Sequence, residues 1–335
     1  MPLSWVPVTE AKLSGARLAT YLKRMFDERA GARPRSADEP DPIATASIRV
    51  RRFAGPSAYV ERMDPLRIAH LTDLHVGRIT PISVHRAAAR LTNAERPDLV
   101  VLTGDFVCHS LAYLDALEEI VRSFEAPVIG VLGNHDHWSG GAEVARALER
   151  AGALVLSNRN TVVHVRGQAL QIVGLDDAYT GHARRDEAVK GLQVDVPTLG
   201  LSHIAEEADG LWPFGVPLVL SGHTHAGQLT FGRVHQAAFS RLTGHRYVHG
   251  LYGCRKGEAA AGAVYVGAGL GSSVVPFRAG DRGQREVAFF ELGCAPGSFE
   301  EHHAEQPPHP GRMPSARAKA RRAKASTAGR ERRGP

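Results

Sequence analysis

Short apolar runs alternate with segments of helical periodicity along most of this chain, from Arg67 to Leu292. The runs are rich in Val, Ile and Leu and are bounded by Gly, Pro, Asp or Asn, as buried strands are. Strands that alternate with helices are typical of a layered α/β domain. We predict strands at Arg67–Thr72, Asp98–Thr103, Pro127–Leu132, Ala169–Leu175, Pro197–Ser202, Pro217–Ser221, Ala263–Ala268 and Glu286–Leu292, and helices at Ser83–Ala94, Leu111–Ser123 and Ala142–Arg150.

The order of these elements indicates one domain with flanking segments, rather than the two domains that 335 residues would allow. We place the domain at 67–294, an N-terminal extension at 1–66 and a C-terminal tail at 295–335. The tail is rich in Pro, Ala, Arg and Lys and has almost no large apolar residues, which predicts disorder.

The N-terminal extension contains a candidate amphipathic helix at Glu10–Ala30, in which apolar residues recur at helical spacing beside Arg and Lys. Such a helix lies on an anionic membrane surface or packs on its own domain, and the sequence leaves both open. No apolar stretch approaches the roughly 18 residues of a membrane-spanning helix, and the pattern of a signal peptide is missing. The three cysteines form no CxxC pair, which is compatible with a reducing compartment. We expect a cytoplasmic protein, either free or peripheral at the inner face of the membrane.

The net charge of +6 points to an acidic partner, but it is unevenly distributed. Residues 312–335 hold nine basic side chains and one acidic, whereas 67–311 hold 21 basic and 26 acidic. Because surfaces that bind nucleic acid are basic, the acidic middle argues against nucleic acid at a site within the domain. The basic tail and the N-terminal helix suggest a separate contact with an anionic membrane surface.

Five of the predicted strands end in side chains that are suited to metal binding or proton transfer. Asp73 and His75 follow the first strand, Asp105 the second, and Asn134, His135 and Asp136 the third, while His203 and the pair His223 and His225 follow the strands ending at Ser202 and Ser221. In an open α/β sheet, ligands bind in the crevice beyond the carboxyl ends of the strands. We therefore predict that these side chains converge on one pocket.

The candidate metal ligands are two Asp, one Asn and four His: Asp73, Asp105, Asn134, His75, His203, His223 and His225. This mixture of oxygen and imidazole donors suits Mn, Fe, Zn or Ni rather than metals that prefer thiolates. Seven ligands are too many for one ion and suit two ions roughly 3.5–4 Å apart, as in hydrolases that displace at phosphorus. Three glycines beside the ligands, Gly104, Gly133 and Gly222, allow sharp turns and leave room for a phosphate.

The motifs Asp73-x-His75, Gly104-Asp105, Gly133-Asn134-His135-Asp136, His203 and Gly222-His223-Thr224-His225 resemble, in order, those of the calcineurin-like metallophosphoesterase superfamily. The resemblance spans Arg67 to Gln228, and later segments fit the closing strands of that fold. It implies an α/β sandwich of two mixed β-sheets flanked by helices. It also implies a hydrolase with two divalent ions, Mn, Fe or Zn, in which metal-activated hydroxide attacks a phosphoester.

The resemblance further implies a role for each site residue. One ion would be bound by Asp73, His75, Asp105 and His225, and the other by Asp105, Asn134, His203 and His223, with Asp105 as the bridge. His135 would stabilise the transition state or protonate the departing oxygen. Asp136 would orient the ring of His135.

Segments 222–228, 247–252 and 267–278 are similar to a bacterial subgroup that is often membrane-associated. Some of its members cleave the pyrophosphate of UDP-2,3-diacylglucosamine in lipid A biosynthesis. The resemblance therefore implies a phosphodiester or pyrophosphate substrate, such as a lipid-linked nucleotide. Two alternatives stay open: a broad-specificity soluble phosphodiesterase or phosphatase, and a metal-dependent scaffold whose basic tail binds nucleic acid or lipid. His135 favours an enzyme, because a scaffold would not need it.

Trp138 directly follows the Asn134-to-His137 run, and two roles are open for its ring. It stacks on a substrate base beside the pocket, or it covers the core above the loop. The other histidines, among them His109, His137, His182 and His245, are expected at the surface or in the core.

Overall fold

Two six-stranded mixed β-sheets form the centre of the protein in a computed structural model of the chain. The structure describes residues 41–227, 240, 242–256, 262–272, 278, 283–299 and 305–309. The chain divides into two units, Met1–Pro40 and Asp41–Pro335, and all described residues belong to the second. The predicted helix at Glu10–Ala30 and the basic segment 312–335 lie outside the described residues.

The strands of the first sheet are β1 (Ile48–Ala54), β2 (Leu66–Leu71), β3 (Leu99–Thr103), β4 (Val128–Val131), β5 (Leu154–Val155) and β12 (Arg285–Leu292). Their order is β1-β12-β2-β3-β4-β5. The run from β2 to β5 is parallel, β12 is antiparallel to β2, and β1 is parallel to β12. The carboxyl ends of β2, β3 and β4 therefore lie at the same edge.

The strands of the second sheet are β6 (Arg159–Val165), β7 (Gln168–Gly174), β8 (Thr198–Leu201), β9 (Leu218–Ser221), β10 (Gly250–Gly253) and β11 (Ala263–Val266). Their order is β10-β11-β9-β8-β7-β6. The four central strands are parallel, and β6 and β10 pair antiparallel at the two edges. The carboxyl ends of β7, β8 and β9 again share an edge.

The helices are α1 (Pro42–Ala46), α2 (Ile82–Ala94), α3 (Leu114–Arg122), α4 (Asn134–Arg150), α5 (Arg185–Ala188) and α6 (Ala208–Leu211). Short 3₁₀ turns lie at Ser57–Tyr59, Leu111–Tyr113, Ala205–Glu207, Trp212–Phe214 and His225–Gly227. None of the helices within the described ranges combines the length and the apolar character of a bilayer-crossing segment.

Alternation along the strands sends side chains to different cores. In β2, Ile68 packs in a core shared by the two sheets, whereas its neighbour Ala69 packs toward α2, α3 and α4 with residues such as Leu117. A third core, which includes Val219 of β9, covers the other face of the second sheet with residues of α5 and α6. The resulting order of helices, sheet, sheet and helices confirms the predicted α/β sandwich of two mixed sheets.

All eight predicted strands are present, with ends within two residues of the prediction. Four further strands were not predicted: β1, β5, β6 and β10. The predicted helix at Leu111–Ser123 consists of a 3₁₀ turn followed by α3, and α4 begins at Asn134, eight residues before the predicted start. Gly140, at φ 140° and ψ 78°, kinks α4 and interrupts its helical periodicity. The division at residue 66 stays a prediction, and β1, from within the predicted extension, lies in the first sheet.

Candidate dinuclear metal site

The nine predicted site residues all lie just beyond the carboxyl ends of five strands. β2, β3 and β4 contribute from the first sheet, and β8 and β9 contribute from the second. Backbone hydrogen bonds join the loops: the N–H of His75 donates to the carbonyl of Asp105 at 2.9 Å, and the N–H of Gly222 donates to that of His203 at 3.2 Å. The parallel strands of the two sheets thus place the predicted site residues next to one another.

The loops that carry the predicted ligands have an uncommon backbone conformation. Positive φ occurs at ten non-glycine residues within the described ranges, and five of them are predicted ligands: Asp73 (49°), His75 (43°), Asp105 (55°), His223 (76°) and His225 (51°). Only a few per cent of non-glycine residues have positive φ, and these residues tend to concentrate at functional sites. The backbone conformation therefore indicates a functional site in the same loops as the side-chain types in the sequence.

Two of the glycines named from the sequence are required by close packing in these loops. A side chain at Gly133 would clash with the carboxylate of Asp105, and one at Gly222 would clash with Thr72 and with the carboxylate of Asp73. The missing side chains let the loops after β4 and β9 approach the two aspartates.

The first group of metal-binding side chains consists of Asp73, His75, Asp105 and His225. All four are buried, and one donor atom from each lies within 4.8 Å of the others. The Nε2 atoms of His75 and His225 are 3.0 Å apart. Nε2 of His225 is 3.4 Å from Oδ1 of Asp73, and Nε2 of His75 is 3.5 Å from Oδ2 of Asp105. Four donors thus face one small volume.

The second group consists of Asp105, His203 and His223, whose donor atoms again lie within 4.8 Å of one another. Nε2 of His203 is 3.4 Å from Oδ1 of Asp105 and 3.3 Å from Nδ1 of His223. The amide oxygen of Asn134 lies 3.1 Å from the same Nε2. The structure therefore brings together all seven predicted ligands in two groups, and their role as ligands stays a prediction.

Asp105 belongs to both groups, one carboxylate oxygen to each. Its Oδ2 faces His75, whereas its Oδ1 faces His203 and accepts a hydrogen bond of 2.8 Å from the backbone N–H of His135. Burial alone would raise the pKa of Asp105, but His203, His75 and His135 hold it well below its usual value. The carboxylate is therefore ionised, as a bridging ligand has to be.

Most of the imidazoles are in the protonation state that a metal requires. Burial lowers the pKa of His75 to about 3 and that of His223 and His225 well below the usual value, so these rings are neutral. His203 differs: burial opposes its protonation, but Asp105 outweighs burial and raises the pKa to about 10. The Nδ1–H of His203 donates to the carbonyl of Thr103 at 2.7 Å, which turns Nε2 toward the second group.

The charge balance of the site also fits cations. Burial raises the pKa of Asp73 to about 6 and that of Asp136 to about 7, and the negative charge of Asp105 adds to both shifts. Divalent ions would offset these buried like charges. The donor chemistry and the excess of buried carboxylates together fit two divalent metal ions.

His135 lies beside the first group, with its side chain 12% exposed. Its Nε2 is 4.0 Å from Oδ2 of Asp105, and its Nδ1 is buried with no hydrogen-bond partner within the described ranges. The ring packs between His75, at a centroid distance of 4.7 Å, and Trp138, at 5.0 Å. Burial lowers the pKa of His135. The ring is thus held at the site without being part of either group.

Among the described residues, the structure shows no hydrogen bond by which Asp136 would orient the ring of His135. The carboxylate of Asp136 accepts backbone hydrogen bonds from Phe106 at 2.8 Å, Val107 at 3.2 Å and Gly133 at 2.9 Å. Asp136 and His135 are neighbours near the start of α4, and adjacent helical residues point in different directions. Asp136 instead ties the loop after β3 to the first turn of α4.

Three aromatic residues beside the site were not assigned to it from the sequence. The ring of His109 lies 4.4 Å from that of His135, Tyr179 lies 5.3 Å from His223, and His245 lies 5.1 Å from His223. His109 and Tyr179 follow β3 and β7 within a few residues. The expectation that strand ends form the site would have found both, had it been extended a few residues further past each strand.

The comparisons with known proteins agree with this geometry. The model of the family described as calcineurin-like phosphoesterase matches residues 66–227, which include all the predicted ligands. Phosphodiesterase YaeI of Escherichia coli (strain K12) is 31% identical over 195 residues, covering 56% of this chain and 70% of the relative. This chain belongs to the calcineurin-like phosphoesterase family.

The uncharacterized metallophosphoesterase YkuE of Bacillus subtilis (strain 168) is 26% identical over 249 residues, covering 72% of this chain and 82% of the relative. Among solved structures, the 5′-nucleotidase precursor from Thermus thermophilus aligns at 17% identity with a TM-score of 0.43, covering 79% of this chain and 59% of that chain. As a calcineurin-like phosphoesterase, the protein is a hydrolase that acts on phosphoester bonds, and its cofactors are two divalent metal ions.

Proposed function

We propose that this protein hydrolyses a phosphodiester or pyrophosphate bond in a dinuclear metal site formed by Asp73, His75, Asp105, Asn134, His203, His223 and His225. The observation that carries the proposal is the position of Asp105. Its two carboxylate oxygens face two separate groups of donors, within 3.5 Å of a histidine in each. This is the arrangement of a carboxylate that bridges two cations.

Two divalent ions in these groups would neutralise charge on the phosphoryl oxygens and lower the pKa of a water molecule that attacks phosphorus. The protein's own residues hold the site in shape. The backbone N–H of His135 fixes Oδ1 of Asp105, the backbone N–H of His223 donates to Oδ2 of Asp73 at 3.0 Å, and Thr103 fixes the ring of His203. Asp73, Asp105 and His203 are thereby pre-positioned by a second contact.

His135 is the residue proposed to act on the leaving group. Its ring lies beside the ligands, is partly accessible and donates no hydrogen bond to another described side chain. A ring nitrogen is therefore available to hydrogen-bond to the oxygen that departs from phosphorus. A general acid in this position typically contributes about 10²–10⁴-fold to the rate.

We further propose that the substrate is a lipid-linked nucleotide such as UDP-2,3-diacylglucosamine. The protein would reach it at an anionic membrane surface through Glu10–Ala30 and the basic tail. The support for this proposal is the resemblance of segments 222–228, 247–252 and 267–278 to that subgroup. A substrate panel that includes this UDP-lipid, a cyclic nucleotide and a soluble phosphodiester separates it from a broad-specificity enzyme.

The test of the proposed function is Mn²⁺-dependent hydrolysis of bis(p-nitrophenyl) phosphate by the purified full chain. We expect activity in the wild type, loss in Asn134→Ala, and a decrease of about 10²–10⁴-fold in kcat for His135→Ala with unchanged metal content. His164→Ala is the matched control, because His164 is an exposed histidine of the edge strand β6. Wild-type activity no higher than that of Asn134→Ala with Mn²⁺, Fe²⁺ and Zn²⁺ would refute the proposed function.

A further inference from the structure

Aromatic rings form a continuous row across the site, from His135 to His223. The rings of His135 and Trp138 are 5.0 Å apart, those of Trp138 and Tyr179 are 6.0 Å apart, and those of Tyr179 and His223 are 5.3 Å apart. His109 extends the row at the His135 end. We call Trp138, Tyr179 and His109 the aromatic rim.

The rim is open to solvent, although its two largest side chains are of types that are usually buried. Trp138 is 54% exposed and Tyr179 is 39% exposed. Of the seven exposed large hydrophobic side chains within the described ranges, these two are the ones whose rings contact predicted site residues. Exposed apolar surface beside a functional site is where binding is expected.

The segments that carry the rings of Trp138 and Tyr179 are ordered by contacts within the protein. His135 and Trp138 are three residues apart on α4, so their side chains share one face of the helix. Tyr179 lies in the loop after β7, where the carboxylate of Asp177 accepts hydrogen bonds of 2.6 Å from both the backbone N–H and the hydroxyl of Thr180. This turn orders the Tyr179 loop without a ligand. The rim is therefore a preformed surface.

The geometry of the rings favours a planar occupant. The contacts of Trp138 with His135 and Tyr179 are edge contacts, at interplanar angles of 61° and 78°, rather than parallel stacks. A planar group can stack on the exposed part of the indole, as bases stack on aromatic side chains in proteins that bind single strands. An acyl chain would be expected to meet aliphatic side chains, and the exposed residues of the rim are aromatic.

We propose that the aromatic rim is a subsite for a planar aromatic group, such as a nucleobase, of the phosphoester substrate. This inference rests on the proposed function, because it requires the phosphate to sit over the two donor groups. A phosphate in that position lies beside His135, so a group attached to it passes Trp138 as it leaves the site. The substrate class is then a nucleoside or aryl phosphodiester or pyrophosphate.

The test compares two ligands that share a phosphate and a ribose and differ in the base: uridine 5′-monophosphate and ribose 5-phosphate. Their inhibition constants are measured with the Mn²⁺-loaded full chain against the chromogenic phosphodiester, and their Kd values by calorimetry. We expect uridine 5′-monophosphate to bind the wild type about 5- to 150-fold more tightly, the contribution of one stacked base. Trp138→Ala should remove this difference without weakening ribose 5-phosphate, and Trp138→Phe should retain part of it.

Phe214→Ala is the matched control. Phe214 is an aromatic residue with 50% exposure that precedes β9, at the opposite end of that strand from the site. Its substitution should leave both affinities unchanged.

Equal binding of the two ligands to the wild type, or an unchanged ratio of their Kd values in Trp138→Ala, would overturn the rim proposal alone, provided ribose 5-phosphate still binds. Tighter binding of octyl phosphate than of uridine 5′-monophosphate, lost in Trp138→Ala, would identify an acyl chain instead and overturn it as well. Binding of neither sugar phosphate, with no hydrolysis, would refute the proposed function and the rim together.

Discussion

At the scale of single residues, Asp136 has a different task from the one its position in the sequence indicates. Its carboxylate accepts three backbone N–H groups, two from the loop after β3 and one from Gly133. Those loops also carry Asp105 and Asn134. Asp136 therefore ties the segment that carries Asp105, shared by both groups, to the segment that carries Asn134.

Asp136→Ala should lower the free energy of unfolding by about 1–3 kcal/mol, because buried backbone N–H groups then have no acceptor. Denaturant unfolding of the metal-free protein at pH 4 measures this change: the pKa of about 7 keeps the Asp136 carboxyl of the folded protein protonated there, so its removal relieves no buried charge. His135→Ala, which removes a ring but no hydrogen bond between the loops, serves as the comparison and should change stability less. An unchanged unfolding free energy in Asp136→Ala would contradict the loop-tying role.

The ligand positions could be predicted from the sequence, whereas the contact of Asp136 could not. Asp73, Asp105 and His203 follow recognisable strands directly, and parallel strands bring such positions to one edge whatever the rest of the chain does. The direction of the Asp136 side chain depends on the rotation of α4, whose start the periodicity placed eight residues too late. Gly140 interrupts that periodicity, so local pattern gave no information on the first turn of the helix.

At the scale of elements, Glu286 joins the two sheets. From β12 in the first sheet, its carboxylate accepts hydrogen bonds from Arg51 of β1 at 2.6 Å and from the hydroxyl of Tyr265 of β11, in the second sheet, at 2.9 Å. Nε2 of His249 lies 3.1 Å from Oε2 of Glu286. The side chains of Glu286 and Arg51 are 3% and 1% exposed. The pair is therefore a buried ionic contact at the junction of the sheets.

Glu286→Gln should lower the free energy of unfolding by about 3–5 kcal/mol, because it leaves the charge of Arg51 buried without its partner. Glu119→Gln is the control: Glu119 pairs with Arg86 at 2.6 Å but is 54% exposed, and its loss should cost less than about 1 kcal/mol. Denaturant titrations of both variants measure the two values. Equal changes in the free energy of unfolding would show that the buried pair stabilises the protein no more than the exposed pair does.

The contribution of Glu286 should also depend on pH. Burial alone would raise its pKa, but Arg51 and His249 outweigh burial and hold the pKa well below the usual 4.5. A depressed pKa means that the stabilisation is complete above about pH 4.5 and decreases as the pH falls toward the folded value. The difference between wild type and Glu286→Gln should therefore shrink from pH 6 to pH 3. A difference that grows at low pH would contradict this sign.

The strands that were not predicted share a physical cause. The two outermost strands β6 and β10 and the short β5 lie at sheet edges, where half-exposed or glycine-containing sequences lack strong alternation. β1 contains Arg49, Arg51 and Arg52, and charged residues are uncommon in buried strands. Arg51 is buried because of Glu286, 235 residues away, and no local pattern contains that information. The eight central strands, whose residues are mostly buried, were the predictable ones.

At the scale of the whole molecule, the charge separates into a site and its flanks. The acidic balance of 67–311 includes the carboxylates of Asp73 and Asp105, which would bind cations, whereas the basic residues concentrate in 312–335. The phosphate of a substrate would therefore be recognised through metal ions. The two donor groups, joined by Asp105, would hold one ion each.

The most direct test is the metal content of the purified chain after loading with Mn²⁺ and removal of free ions, measured by mass spectrometry alongside two variants. The wild type should hold two ions per chain, and His223→Ala, which removes a donor of the second group alone, should hold about one. Asp105→Asn should hold fewer than His223→Ala, because Asp105 contributes to both groups. One ion or none in the wild type, or two in Asp105→Asn, would contradict the dinuclear site.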